Sequence, residues 1–307
     1  MSGPKEKDFV QSDSELKIDI RFLQSSNVAA LEEVCLFLHI PKAAGQTLYR
    51  ILERNHPGAG NWLFDPGNAQ ETLQQLQCME EEPRRQLRVC RGHFPFGLHR
   101  IVNGPYTYVT ILRHPVDRMI SHYHYVKEYG PAHYLHEAIQ THGWSLGEYV
   151  SSGVSPEMDN GQVRLLTDTE KSVPIGKVTR EHYEQAKKNL QRYFSVVGTV
   201  DRFDEFLLML QKRFPLEQID YERVNVTRNR PAMESIPKGD RELILLWNHW
   251  DMKLYEFAVE LMGRQMESYG PTLEADVSEL RRKNALRLQK SQPQPRNRIW
   301  SWLRGGA

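Results

Sequence analysis

The sequence predicts one α/β domain, a parallel sheet flanked by helices on both faces, and three recurrences of the same grammar predict it. Val34 to Ile40, Tyr106 to Leu112 and Phe194 to Val200 are near-continuous apolar, β-prone runs, as expected of parallel strands covered on both sides. Each is followed by apolar residues at helical spacing: Leu48, Ile51 and Leu52; then Val116, Met119, Ile120 and Tyr123; then Phe203, Phe206, Leu207 and Leu210. Strands alternating with amphipathic helices imply crossover units and a parallel sheet. The first strand ends at Pro41 and the turn at Gly45 leads into its helix, while Pro115 opens the second helix. Leu87 to Arg91 reads as a fourth strand. A long helix is expected from Arg241 to Gly263, with Leu243, Leu246, Trp247, Trp250, Leu254, Phe257 and Leu261 on its core face.

Composition narrows the function classes. The 307 residues are 39% hydrophobic and 26% charged, which is the balance of a globular protein able to bury a core. Lys plus Arg is 40 and Asp plus Glu is 39, so no global field favours nucleic acid, and an anion site has to be local. No apolar run approaches the roughly 20 residues of a spanning helix. The N-terminus is polar where an export signal needs an apolar stretch, so a cytoplasmic location is expected. Cys35, Cys78 and Cys90 are odd in number and widely spaced, which reads as buried or partly buried thiols and neither a disulfide framework nor a zinc site. Three regions are expected: a polar arm over 1–30, a body over 31–270, and a basic tail over 271–307. The tail carries eight cationic residues between Arg281 and Arg304 and holds Trp300 and Trp302 near its end. It reads first as a solvated terminus, and alternatively as a segment that lies on an anionic membrane or grips a partner.

The chemistry begins at His39-Ile-Pro-Lys-Ala-Ala-Gly-Gln-Thr-Leu48. A loop from a strand end to a helix start offers backbone N–H groups and the positive end of the helix dipole, and Lys42 adds a charge. Gly45 admits close approach and Thr47 offers a hydroxyl, so the segment has the parts of a phosphate or sulfate cradle. It is P-loop-like without being a Walker loop, because Lys42 precedes Gly45 and no GK[ST] follows. Taken alone, it is equally a plain strand-to-helix turn. The second element is Leu112-Arg113 with Ser121 eight residues on, where a guanidinium and a hydroxyl can converge on one phosphate. Alone, Arg113 equally pairs with a carboxylate such as Asp117.

Joined, these elements resemble the sulfotransferases that use 3'-phosphoadenosine 5'-phosphosulfate, in the branch related to heparan sulfate and other carbohydrate O-sulfotransferases. Pro41-Lys42-Ala43-Ala44-Gly45-Gln46-Thr47 is similar to that family's 5'-phosphosulfate loop, and Arg113 with Ser121 to its 3'-phosphate element. The likeness continues through Arg91-Gly-His-Phe-Pro-Phe-Gly97, Asp159-Asn-Gly-Gln-Val-Arg164, Val197 to Asp204 and Val224 to Thr227. Ala43, Ala44 and Gln46 depart from the Thr, Gly and Thr or Ser common in the family. The resemblance implies the sulfate donor as cosubstrate, held by Lys42 through Leu48, Arg113 and Ser121, with no metal and a carbohydrate hydroxyl as acceptor. It also implies His93 as general base, since an attacking hydroxyl has to lose its proton near neutral pH, and Lys42 as the charge that stabilises the leaving group. A phosphotransferase using the same loop, or a binder that only holds nucleotide or glycan, are the alternatives. His122, His124, His133, His136 and His142 crowd one stretch, but Gln140 stands where a zinc helix of HExxH type needs its second His. That histidine- and tyrosine-rich stretch, with Trp144, is expected to line the acceptor pocket, joined by Asn160, Gln162 and Arg164.

Overall fold

The computed structural model describes residues 33–102, 104–169, 172–222 and 231–291. In chain order the elements are β1 (Val34–Leu38), α1 (Gly45–Asn55), β2 (Asn61–Phe64), α2 (Ala69–Gln77), α3 (Glu81–Gln86), β3 (Val89–Gly92), β4 (Tyr106–Leu112) and α4 (Pro115–Tyr129). They continue with α5 (His136–His142), α6 (Leu146–Ser151), α7 (Gly161–Thr167), α8 (Arg180–Tyr193), β5 (Phe194–Thr199), α9 (Phe203–Arg213), α10 (Lys238–Trp247), α11 (His249–Tyr269) and α12 (Leu273–Ser291). The five strands form one sheet in the order β2-β3-β1-β4-β5, every pairing parallel. The expected α/β architecture is therefore the observed one.

Strand pleating sorts the core into two layers. Val34, Leu36 and Leu38 of β1 face a cluster built with Val163 and Leu166 of α7, Leu190 of α8 and Leu254 and Phe257 of α11. Cys35 and Phe37 face the other side, against Leu48 and Ile51 of α1 and Phe206 and Leu207 of α9. All five β1 residues are buried, which is why the strand reads as an unbroken apolar run. A third cluster joins α4, α5, α6 and α10 through Met119, Ile139, Tyr149 and Ile244. It forms a lobe beside the carboxyl ends of the strands.

Three sequence expectations change. The edge strand β2 is four residues long and half exposed, with Leu63 at 50%, so it lacks the run that marks its neighbours. The expected helix over 241–263 is two helices broken at Asn248, whose Nδ2 donates to the carbonyls of Met158 (2.9 Å) and Ile244 (3.1 Å). Leu246, placed on the core face by periodicity, is 70% exposed. Residues 273–291 are helical, and Leu273, Val277 and Leu280 are buried in the second core layer, so the packed body continues past residue 270. Cys35 and Cys90 are buried and Cys78 is exposed. The arm over 1–30, Val224 to Thr227 and the two tail tryptophans lie outside the described residues. No helix among the described residues is long and apolar enough to cross a membrane.

Candidate active site

The loop from β1 to α1 is built as an anion cradle. Lys42 (φ 67°) and Ala44 (φ 60°) both adopt left-handed backbone, a conformation that is uncommon for residues with a Cβ and concentrates at functional sites. Successive turns of this kind point N–H groups into one concavity. The Ala43 N–H donates to Ile40 O (3.1 Å) and that of Thr47 to Ala44 O (3.2 Å), whereas those of Ala44, Gly45 and Gln46 meet no acceptor among the described residues. Ala43 and Leu48 turn their side chains into the core, and Gln46 is exposed. Gly45 has a reason the sequence did not disclose: a Cβ there would lie 1.9 Å from Nε2 of His39. The left-handed positions are its neighbours, and the glycine makes room for a ring.

The cations arrive from three elements. Lys42 Nζ sits 3.5 Å over the ring of Tyr125 on α4 and forms no ion pair among the described residues. Burial, then the neighbouring Arg113 guanidinium, brings its ammonium down to about 8. Arg113 leaves the end of β4, donates from Nη1 to Lys42 O (2.7 Å) and from Nε to Asp117 Oδ2 (2.6 Å). The carboxylate pairing weighed from sequence is therefore present, and the same guanidinium also holds the lysine loop. Ser121, one turn and a half into α4, is buried and lines the same cleft as Lys42, Gly45, Thr47 and Arg113. That cleft has a volume of about 1280 Å³ and opens at the carboxyl ends of β1 and β4, where open parallel sheets bind ligands.

His93 joins it from the turn after β3. Its Nδ1 lies 2.8 Å from the carbonyl oxygen of His39. A carbonyl can only accept, so Nδ1 carries the proton and Nε2 presents a lone pair. Nε2 has no hydrogen-bond partner among the described residues. The two imidazoles stack at 4.2 Å and 28°, and His39 hydrogen-bonds Tyr49 Oη through its own Nδ1 (2.8 Å). Burial holds His93 below the ordinary imidazole value, partly offset by the His39 carbonyl and the Glu157 charge. His39 is held well below it by burial and then by the adjacent His93 and Lys42. Both rings are neutral at pH 7.

The facing wall comes from α4 and the segments 133–134 and 156–157. His122, Tyr125, His133, Tyr134 and Glu157 all line the cleft, whereas His124, His136, His142 and Trp144 do not. His142 stacks on Trp144 at 4.4 Å instead. Glu157 is the residue sequence reasoning passed over, since no local pattern marks it.

Of Asn160, Gln162 and Arg164, expected near the acceptor, Arg164 lines the cleft and the other two do not, and all three make hydrogen bonds inside the protein. Asn160 Oδ1 accepts from the N–H groups of Trp250 (2.8 Å) and Asp251 (3.0 Å) at the start of α11. Gln162 clamps the backbone of Arg113, accepting from its N–H and donating to its C=O, both at 3.0 Å. Arg164, with no exposed surface, pairs with Asp159 and donates to the carbonyls of Asp159, Val173 and Pro174. These residues brace the cleft. Arg118, equally buried, donates to Glu157 O (2.8 Å) and pairs with Asp251 at 3.5 Å. No group of three or more metal-ligating side chains occurs among the described residues.

A family model described as Galactose-3-O-sulfotransferase matches residues 27–292. The chain is also 24% identical over 288 residues to Galactose-3-O-sulfotransferase 3 of Bos taurus. That alignment covers 84% of this chain and 64% of the relative, so the chain spans just under two thirds of the relative's length.

Proposed function

Since the chain belongs to the galactose-3-O-sulfotransferase family, we propose that it transfers a sulfuryl group from 3'-phosphoadenosine 5'-phosphosulfate to a hydroxyl of a galactose-containing carbohydrate. The observation that carries the reading is the fixed tautomer of His93 in one cleft with a lysine that forms no ion pair, and a loop three of whose N–H groups meet no acceptor, among the described residues. The phosphosulfate fits this loop: three N–H groups and Lys42 supply what its oxygens need, and Arg113 with Ser121 offers a second anion position for the 3'-phosphate.

In the reaction, the acceptor oxygen attacks sulfur while its proton passes to Nε2 of His93, and the bond from sulfur to the bridging phosphate oxygen breaks. The electron pair leaves with that oxygen, and Lys42 with the helix start stabilises the developing charge, as in phosphoryl transfer where positioning and electrostatics dominate. The His39 carbonyl keeps the base in the right tautomer throughout.

The first test is thermal unfolding with adenosine 3',5'-bisphosphate, with ATP and magnesium as the comparison. Ligand at about 100 times its dissociation constant stabilises by about 2.7 kcal/mol, a rise of roughly 5–10 °C for a domain of this size. A rise with the bisphosphate alone is expected. A rise with ATP and magnesium alone would replace this reading with a phosphotransferase.

A further inference from the structure

None of the described residues of α12 lines the cleft, yet three of its side chains hold a segment that does. Tyr221 is 8% exposed and lines the cleft with Thr47, Val200 and Phe203. It stands at the end of a connector, 214–222, that forms no helix or strand, and such a connector is among the least stable parts of a fold unless something ties it down. The ties come from two helices. From α1, Arg54 Nη2 donates to the carbonyls of Gln218 and Asp220, both at 2.7 Å, and Asn55 Oδ1 accepts from the N–H groups of Glu217 (2.7 Å) and Gln218 (3.1 Å). From α12, Asn284 Oδ1 accepts from the N–H of Tyr221 itself at 2.8 Å, and Arg287 pairs with Asp220 and, at 3.8 Å, with Glu222. The tyrosine hydroxyl is fixed as well. It donates to Asp204 Oδ1 at 2.8 Å, while Arg281 of α12 donates from Nε to Oδ2 of the same carboxylate, also at 2.8 Å. Asp204 follows Phe203, whose ring meets that of Tyr221 edge on at 5.1 Å.

The sequence of α12 fits this contact. Leu273, Val277, Leu280 and Asn284 recur at helical spacing and share one face. The first three are buried in the core layer that also holds Tyr221 and Phe203. At the fourth position packing alone asks for another apolar side chain, and the asparagine there supplies the acceptor that the Tyr221 N–H needs. Arg282 and Lys283, by contrast, pair with Glu279 of the helix itself. A ring carried by an irregular connector offers a ligand one geometry only if the connector is held, and order established beforehand does not have to be supplied by binding.

We infer that α12 is a strap that holds Tyr221 in the cleft wall, with Asn284, Arg281 and Asp204 as positioning residues for the nucleotide that the cleft binds. The strap stands on these contacts, and only the identity of the nucleotide rests on the sulfotransferase reading. Two measurements test it. Hydrogen exchange over 216–222, read by mass spectrometry without ligand, is expected to quicken by about three- to tenfold in Asn284→Ala, which keeps the helix and removes the acceptor, and to stay at the wild-type rate in Arg282→Ala. Calorimetric titration with adenosine 3',5'-bisphosphate is expected to give Asn284→Ala a dissociation constant about three- to tenfold above wild type at unchanged stoichiometry. Asn284→Asp is expected to restore it to within about twofold, because a carboxylate accepts from the same N–H. A merely structural role would lower the stoichiometry, as unfolded protein drops out, and leave the dissociation constant of the folded molecules alone. Wild-type exchange in Asn284→Ala, an unchanged dissociation constant, or an equal effect from Arg282→Ala would each overturn the inference. Wild type that ignores the bisphosphate, while Asn284→Ala exchanges faster, removes the donor reading and leaves the strap standing.

Discussion

Replacing Gly45 by alanine tests the cradle at its tightest point. Gly45 is not among the glycines with positive φ, so alanine meets no conformational penalty there, and helix propensity favours it. The obstacle is steric. The new methyl carbon would lie 1.9 Å from Nε2 of His39, short of ordinary contact by about 1.5 Å. The ring has nowhere to go: Phe37 stacks on it at 5.5 Å, His93 stacks on it at 4.2 Å, and Tyr49 holds its Nδ1 at 2.8 Å. Overpacking of this kind costs about 1–3 kcal/mol, and the Tyr49 hydrogen bond adds about 1 kcal/mol if it breaks. For a domain of this size that is a fall in Tm of roughly 3–12 °C. Differential scanning calorimetry of four proteins decides the matter: wild type, Gly45→Ala, His39→Ala and the double variant. On the His39→Ala background the space opens, and the same glycine substitution is expected to cost less than about 0.5 kcal/mol, the residual usually seen for uncoupled sites. Equal cost on both backgrounds, or a Gly45→Ala protein as stable as wild type, would refute the packing argument. Turnover is expected to fall with stability, because displacing His39 moves the carbonyl that orients His93.

Other outcomes follow from the same geometry. His93→Ala is expected to lower turnover by about two to four orders of magnitude while leaving bisphosphate affinity within about twofold, measured by steady-state kinetics and calorimetric titration; retained turnover would remove the base. Arg113→Ala loses a charge-assisted partner worth about 1.5–3 kcal/mol, so bisphosphate binding is expected to weaken by roughly ten- to a hundredfold, and unchanged affinity would displace the 3'-phosphate position. The pH profile of kcat/KM has two limbs of known sign. His93 acts unprotonated and its value is lowered, so activity is expected to fall only below pH 6.5; Lys42 acts protonated and its value is about 8, so activity is expected to fall above that. Lys42→Met is expected to flatten the alkaline limb, and a limb that persists unchanged would assign it to another group. In kcat the alkaline limb is expected at higher pH, because a bound anion favours the charged ammonium.

How much of this was legible in the sequence depends on where each interaction is decided. The strands β1, β4 and β5 show as apolar runs because both sheet faces are covered, and β2 does not because a short, half-exposed edge strand needs no such run. The bond that stops α10 at Asn248 comes from Met158, ninety residues earlier, and no periodicity reports it. At the site, Lys42, Arg113, Ser121 and His93 were singled out because short motifs carry them, and the structure brings all four to one cleft. Asn160, Gln162 and Arg164 were assigned to the acceptor because polar residues in a motif suggest a ligand. Their partners are backbone groups of Trp250, Arg113 and Val173, visible only once the chain is folded. Gly45 was credited with close approach to a ligand, and the space its missing Cβ leaves is taken by the His39 ring, while Lys42 and Ala44 carry the left-handed turns.

These framework bonds explain how two halves of the site keep one geometry. Gln162 on α7 clamps Arg113 at the end of β4, and Arg113 holds the carbonyl of Lys42 in the cradle. The same loop begins at His39, whose carbonyl fixes His93 after β3 and whose ring occupies the space Gly45 leaves. A displacement at either end therefore reaches the other through hydrogen bonds and one stacked pair. Effective positioning of a base against a bound donor requires such common support, since an error of about 1 Å can cost about a hundredfold in rate. The departures at Ala43, Ala44 and Gln46 are compatible with it: where side-chain hydroxyls are absent, the left-handed turns at Lys42 and Ala44 leave three backbone N–H groups unspent at the mouth of the helix. On the proposed reading, the donor's anchoring rests on main chain that those buried clamps hold in place.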